Sequence, residues 1–184
     1  MFEIDFVSCE PNFYANAILN LSIHNQSIYD YVIEKFNLNV KSNNFKNGLI
    51  ALLYGANDNT IHRLSGIEKN KIVLIKKFLK INKFKENIEK EFLENKMFLN
   101  YYNRPILDSS NIVNYWIQSS VADFCCLAFN DFIDKNDFLS LHAFIHDSII
   151  VSCHENHVEK LLRNKKIKEN ISNIDLPIRI NLIS

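Results

Sequence analysis

The feature that most constrains this chain is one aspartate set in each of two apolar stretches far apart in sequence. Asp5 lies in Phe2-Glu3-Ile4-Asp5-Phe6-Val7, and Asp147 in Phe144-Ile145-His146-Asp147-Ser148-Ile149-Ile150-Val151. Both stretches have the aromatic and β-branched composition of buried strands. An isolated carboxylate inside such a strand costs several kcal/mol unless something pairs it. Each aspartate is therefore expected at a strand end, where the plain reading is a solvated or helix-capping residue. For Asp147 the plain reading is the polar tip of a tight turn, His146-Asp147-Ser148. Together the two read differently. Carboxylates about 4 Å apart would repel by roughly 4 kcal/mol at an effective dielectric of about 20. Divalent ions such as Mg²⁺, which prefer carboxylate and phosphate oxygens, remove that conflict.

The chain has 184 residues, enough for one domain or one domain with a lobe, and a core of real size. Hydrophobic residues make up 47%, which excludes a disordered chain. Three Gly and three Pro exclude a repeat of short strands and turns. The formal net charge is +0, so a polyanion would have to be met by local lysines; these cluster between Lys69 and Lys96. Glu86, Glu89, Glu91 and Glu94 interleave with them, and the plain reading is a salt-bridged helical face. Cys9, Cys125, Cys126 and Cys153 form no Cys-x-x-Cys pair, which argues against a zinc knuckle. They are expected as buried free thiols, with Cys125-Cys126 in the core. No basic leader precedes an apolar run and no run reaches the length of a membrane span, so a cytoplasmic chain without a membrane partner is expected.

Periodicity predicts a strand over 2–8, a helix from Asn12 to about Leu21, and a helix capped by Ser27 that runs to Phe36. A loop over 37–44 precedes a helix over 45–54, with Gly55 at its C-cap. Two long helices are expected over 67–96, a strand over 97–102, a turn at Asn103-Arg104-Pro105 and a helix over 113–131. A hairpin of 141–145 and 149–153 follows. An amphipathic helix from Glu155 to about Lys168 and a closing strand over 176–183 complete the chain. Strands at both ends with helices between them predict an α+β fold, a small antiparallel sheet bearing a helical insertion.

Lys46 and Tyr54 stand eight positions apart on one predicted helix, a little over two turns, so both project from nearly the same face. A lysine there can bind a triphosphate as a point charge, and the ring can stack on a base or sugar. In isolation the plain reading is a surface lysine and a core tyrosine.

These residues, in order, resemble the palm and fingers of a family A, DNA polymerase I-like enzyme in a phage-type version. Asp5-Phe6-Val7-Ser8-Cys9-Glu10-Pro11 resembles motif A, and Lys46 through Tyr54-Gly55 resembles motif B. Asn114-Tyr115-Trp116-Ile117-Gln118 resembles the family's Asn-x-x-x-Gln segment, and His146-Asp147 resembles motif C. Ser27-Ile28-Tyr29-Asp30 and Asn103-Arg104-Pro105-Ile106 also resemble family segments. The His-Asp-Ser triplet occurs in single-subunit RNA polymerases too, but their motif A carries Gly where this chain has Glu10.

The resemblance implies a right-hand polymerase architecture lacking a thumb, with palm over 1–22 and 97–184 and fingers over 23–96. It implies that Asp5, Asp147 and the backbone carbonyl of Phe6 hold Mg²⁺, and that Lys46 contacts the incoming dNTP. Glu10 would act as the steric gate against a ribose 2′-hydroxyl. Tyr54 would border the nascent base pair, with Ile50 at a sugar-discriminating position. Lys41 and Tyr29 stand in for a phosphate-binding Arg and His. Gln118, Asn114, Arg104 and His146 would face primer-template DNA. The chain departs from the family pattern at Ser42, Ser110 and Ser148, which bears on triphosphate affinity and turnover. Because motif A begins almost at Met1, the resemblance also implies either the C-terminal part of a split polymerase, with a partner chain supplying thumb and exonuclease-like domains, or a reduced enzyme of weak processivity, and host cytoplasm as the location if the chain is phage-encoded. A second reading is a catalytically weak polymerase-like module that docks to DNA or to a partner.

Overall fold

A computed structural model describes residues 1–23, 27–108 and 110–183, and for Ser42 the backbone only, so the expected consequence of a serine side chain there lies outside the described residues. In chain order the elements are β1 (Phe2–Phe6), α1 (Cys9–Leu19), α2 (Ile28–Lys35), α3 (Ser42–Leu53), α4 (Asp58–Ser65), α5 (Lys69–Phe78), α6 (Ile81–Asn95), β2 (Phe98–Leu99), β3 (Pro105–Ile106), α7 (Ile112–Asp134), β4 (Ser140–Ile145), β5 (Ser148–Ser152), α8 (Val158–Leu162), β6 (Lys166–Lys168) and β7 (Asp175–Leu182). The α+β expectation is met. The chain divides into two compact units, Met1–Phe13 with Ser120–Ser184, and Tyr14–Ser119.

The first unit is built on a five-stranded sheet of order β4-β5-β1-β7-β6, antiparallel at every pairing. The N-terminal strand β1 lies in the middle because every second residue is a large hydrophobe: Phe2, Ile4 and Phe6 are buried, while Glu3 and Asp5 face the other way, half-buried. Over the buried face lie residues of α7. The Phe6 ring stands 5.2 Å from Phe124 and 4.6 Å from Phe129, and Phe13 stands 5.5 Å from Phe124. Among the described residues no helix, α7 included, is long and apolar enough to cross a membrane.

Three expectations for this unit need correction. The helix expected over 155–168 is only a 3₁₀ turn at Glu155–His157 and the short α8. Asn164 Nδ2 donates to the carbonyls of Lys160 and Leu161, which ends the helix there. Lys166-Ile167-Lys168 then alternates polar and apolar, and it pairs with β7 by burying Ile167. Cys126 is exposed whereas Cys125 is buried; consecutive helical positions lie about 100° apart, so only one can face the core. β1 stops at Phe6 rather than at residue 8, because Ser8 takes a left-handed φ of 51° and turns the chain into α1.

The second unit is helical apart from the two-residue pairing of β2 with β3, shorter than the strand expected over 97–102. Ser27 caps α2 by accepting the Asp30 N–H at 3.1 Å, as its position predicts. The sequence pattern missed α4, which Asn57 caps by accepting the Thr60 N–H and Gly66 closes at φ 75°. Tyr14 is buried, and its hydroxyl donates to the Leu79 carbonyl at 2.9 Å; burial pushes its pKa up. Helices α3 and α4 meet where Gly48 faces Ser65. A Cβ on Gly48 would fall 2.3 Å from the Ser65 Cβ. Gly48→Ala sets two effects against each other. Helix propensity favours Ala by roughly 1 kcal/mol, and overpacking a closed contact costs about 1–3 kcal/mol. The nearest atom is a Cβ held by its own helix rather than the end of a flexible side chain, so the overlap should win. The expected outcome is a net loss of up to about 2 kcal/mol in urea unfolding; a raised midpoint would mean the two helices separate freely.

Candidate active site

In the first unit, the β1–β5 pairing brings together the two aspartates that sequence keeps apart. The register sets Asp5 opposite Ser148, and the next residue, Phe6, donates its N–H to the Asp147 carbonyl at 3.1 Å. Both aspartates are half-buried. β4 and β5 are joined by His146 and Asp147 alone, with His146 at φ 54° in the first turn position. Glycine normally takes that position in a two-residue hairpin. The tip is pinned by Ser148, whose hydroxyl donates to the Ile145 carbonyl at 3.0 Å. Ser148, where the family resemblance expects Glu, is thus nearly buried and committed to the turn. His146 itself is exposed.

Glu10 sits half-buried in the first turn of α1. The start of that helix is fixed by Asn12, whose Nδ2 donates to the Val7 carbonyl at 2.8 Å. Beneath lies a buried thiol pair, Cys9 Sγ 3.6 Å from Cys125 Sγ. Burial raises the Cys9 pKa well above its ordinary value, with Cys125 and then the charges of Asp147 and Glu10 adding to the rise. A thiol so held is a poor nucleophile, and Asp147 and Glu10 are the two carboxylates whose charge reaches it.

Among the described residues no group of three or more His, Cys, Asp or Glu side chains is arranged to hold one ion. Two carboxylates with a backbone carbonyl are nonetheless a hard-oxygen donor set. Such a set fits Mg²⁺, which is commonly held by one or two carboxylates while water and phosphate complete its shell.

The second unit carries the other sequence-predicted residues. Lys46 is exposed on α3, Ile50 is half-buried, and Tyr54 is the half-buried C-cap. Gly55 follows at φ 78°, where Ala56 N–H bonds to the Ala51 carbonyl and Gly55 N–H to that of Leu52. This double closure is the one a left-handed glycine makes at a helix end, and it fixes where the Tyr54 ring leaves the helix. Tyr54 and Gly55 line a pocket of about 420 Å³ with Lys85, Glu89, Ser110 and Asn111. Ser110 Oγ lies 3.3 Å from the Tyr115 hydroxyl, and its backbone N–H, with its side chain, holds Asp108 below the usual carboxylate range. Lys41 is exposed at the start of α3. Tyr29 is buried, its ring edge-on to Phe45. Gln118 is exposed on α7, one turn beyond Asn114. Asn114 Oδ1 is buried and, among the described residues, has no hydrogen-bond partner. An orphaned acceptor of this kind is costly in an isolated chain and suits a ligand donor. Arg104 is exposed and donates to the Ser119 carbonyl at 3.0 Å.

Sequence reasoning missed Asn12, Gly48 and the left-handed backbone at Ser8 and at His146, the latter expected only as a DNA-facing side chain. Ser8 and His146 flank the aspartates, and strained backbone of this kind recurs at functional sites. Their only sequence signal is a tight strand-to-element junction without a glycine.

No family model matches this chain, and no curated protein matches it. Among solved structures, the polymerase domain of Pol1 from M. smegmatis, in complex with DNA primer-template and dNTP, superimposes with a TM-score of 0.69 at 14% identity. The likeness covers 97% of this chain and 38% of that one, so this chain spans well under half of that domain. At this identity the likeness is one of fold.

Proposed function

We propose that this chain performs template-directed DNA synthesis, transferring a nucleotidyl group from a dNTP to a primer 3′-hydroxyl. The observation that carries the reading is the pairing of β1 with β5, which sets Asp5, near the end of β1, beside the hairpin turn that carries Asp147. Four motifs in family order and the shared fold with a polymerase domain support it.

In this reading the first unit is palm and the second contains the fingers. Asp5, Asp147 and the Phe6 carbonyl would hold Mg²⁺. Bound there, the ions supply charge neutralisation at the attacking and leaving oxygens of an in-line displacement. The chain's own residues do the rest by position and charge. Lys46 would offset the negative charge of the triphosphate. Lys41, one residue from the position of a phosphate-binding Arg, and Tyr29, at the position of a phosphate-binding His, would be the further phosphate contacts, with Lys41 the one at the surface. Tyr54 would cover the base pair and Ile50 would shape the sugar side. Glu10 would crowd a 2′-hydroxyl and so select deoxynucleotides. Asn114 would accept a hydrogen bond from DNA through its unpaired oxygen, while Gln118, Arg104 and His146 would contact the strand backbones.

Primer extension on a labelled primer-template tests this. The expected result is template-matched addition of dNTPs that needs Mg²⁺, stops with chelator, and discriminates against ribonucleotides. Duplex binding without any extension would instead support the binding-module reading.

A further inference from the structure

We infer that a lysine-lined groove in the second unit binds the phosphate backbone of a single nucleic-acid strand. The groove measures about 470 Å³ and runs along the junction of α5 and α6, with Asp58 and the exposed Val73 also in its wall. Four lysines line it: Lys76, Lys77, Lys80 and Lys83. Lys76 is accounted for by the fold. Its Nζ lies 2.6 Å from Asp58 Oδ1 and 3.3 Å from the Ala56 carbonyl, and its side chain is mostly covered. That pair cancels the one acid in the lining and ties the turn after Tyr54 to α5. Lys77, Lys80 and Lys83 are exposed and, among the described residues, form no ion pair. The groove therefore carries a surplus of three positive charges in a chain whose net charge is +0.

Helix chemistry does not explain this surplus. Lys77 suits the C-terminal end of α5, where a cation is favoured. Lys83 sits in the first turn of α6, the end at which a cation is disfavoured, and that turn has no acidic residue and no side-chain cap. Lys80 adopts φ 55° between the two helices, a conformation that L-residues with side chains take at a cost. Three unpaired ammonium groups and an uncapped helix start facing one open groove are complementary to a run of phosphates. Lysine serves such contacts as a point charge, without base readout. A space of this volume accepts a nucleotide or two at a time, which fits an extended strand rather than a duplex. The groove wall begins at the turn that follows Tyr54, so the choice of nucleic acid over another polyanion rests on the polymerase reading. The binding test does not.

The test uses the full chain and a fluorescent dT20 oligonucleotide, with anisotropy titrations across a range of KCl. The triple variant Lys77→Ala, Lys80→Ala, Lys83→Ala is expected to flatten the slope of log K against log salt by about 2, since each single-strand phosphate contact contributes roughly 0.7. Its affinity at low salt should fall at least about tenfold. A triple Lys→Arg variant should keep the wild-type slope, and Lys90→Ala with Lys96→Ala, at the far end of α6, should leave it unchanged. A wild type that does not bind dT20, or a triple alanine variant that matches it in affinity and slope, overturns the inference. So does displacement of dT20 by poly-glutamate as readily as by unlabelled dT20, since the groove would then take acidic peptide. A flattened slope in a chain that extends no primer upholds the groove and sinks the polymerase reading; extension with an unchanged slope does the reverse.

Discussion

Asp147→Ala is expected to reduce single-turnover primer extension by at least about 10³-fold while leaving the fold in place. Charge stabilisation by a metal-holding group is worth several kcal/mol in a displacement of this kind, and each 1.4 kcal/mol is a factor of ten in rate. The aspartate contributes little to packing: it is half-buried in a two-residue turn, and the turn is held by the Ser148 hydroxyl and by strand pairing. Among the described residues its carboxylate forms no ion pair, and it is one of the charges that raise the Cys9 pKa, so without metal its removal costs the fold little. The thermal midpoint of Asp147→Ala without Mg²⁺ should therefore stay close to that of wild type. Wild type should gain in midpoint as Mg²⁺ is added, by linkage to binding, and the variant should not. The thermal readout separates metal binding from chemistry. Extension by the variant within tenfold of wild type would remove Asp147 from the catalytic machinery. Equal Mg²⁺-dependent stabilisation of both proteins would remove it from the metal site.

The parts of this fold that were legible in sequence are those set by local chemistry. Ser27 announces α2 because a hydroxyl that accepts an N–H three residues on is a local event. Gly55 announces the end of α3 because few residues accept φ 78° without cost. The strands β1 and β5 stand out because their hydrophobic residues form unbroken or alternating runs. What stayed hidden depends on long-range pairing. Lys166–Lys168 has the composition of a charged helix, and only its pairing with β7 makes it a strand. Helix α4 was hidden because Gly55-Ala56-Asn57-Asp58 reads as one turn, although Asn57 is already the cap of the next helix. At the candidate site the residue types were visible and their supports were not. Asp5 and Asp147 can be picked out by their apolar surroundings. The left-handed backbone of Ser8 and His146, the Asn12 brace and the close approach at Gly48 are properties of packed elements that no local pattern encodes.

Phe6→Ala should cost about 3–5 kcal/mol of stability, the usual range for truncating a fully buried aromatic side chain. Phe6 is 1% exposed at the end of the central strand of its sheet, and its ring lies against Phe124 and Phe129 at centroid distances of 4.6–5.2 Å. The loss combines the transfer of the ring, the cavity left among residues of α7 that cannot collapse far, and two aromatic contacts worth roughly 0.5–1.5 kcal/mol each. Against a total of about 5–15 kcal/mol for a typical domain, this is a large share. Phe6→Leu keeps much of the volume and should cost less than about 2 kcal/mol. Since every charged candidate residue is untouched, the leucine variant should still extend primers at low temperature. The alanine variant should lose hydrogen-exchange protection first in β1 and β5, where Phe6 N–H meets the Asp147 carbonyl. Mass spectrometry of peptides spanning those strands reads this directly. A loss below about 1 kcal/mol for the alanine variant would mean that β1 is not seated against α7 through this ring. The strand bearing Asp5 would then lack the rigid backing that fixed carboxylates require.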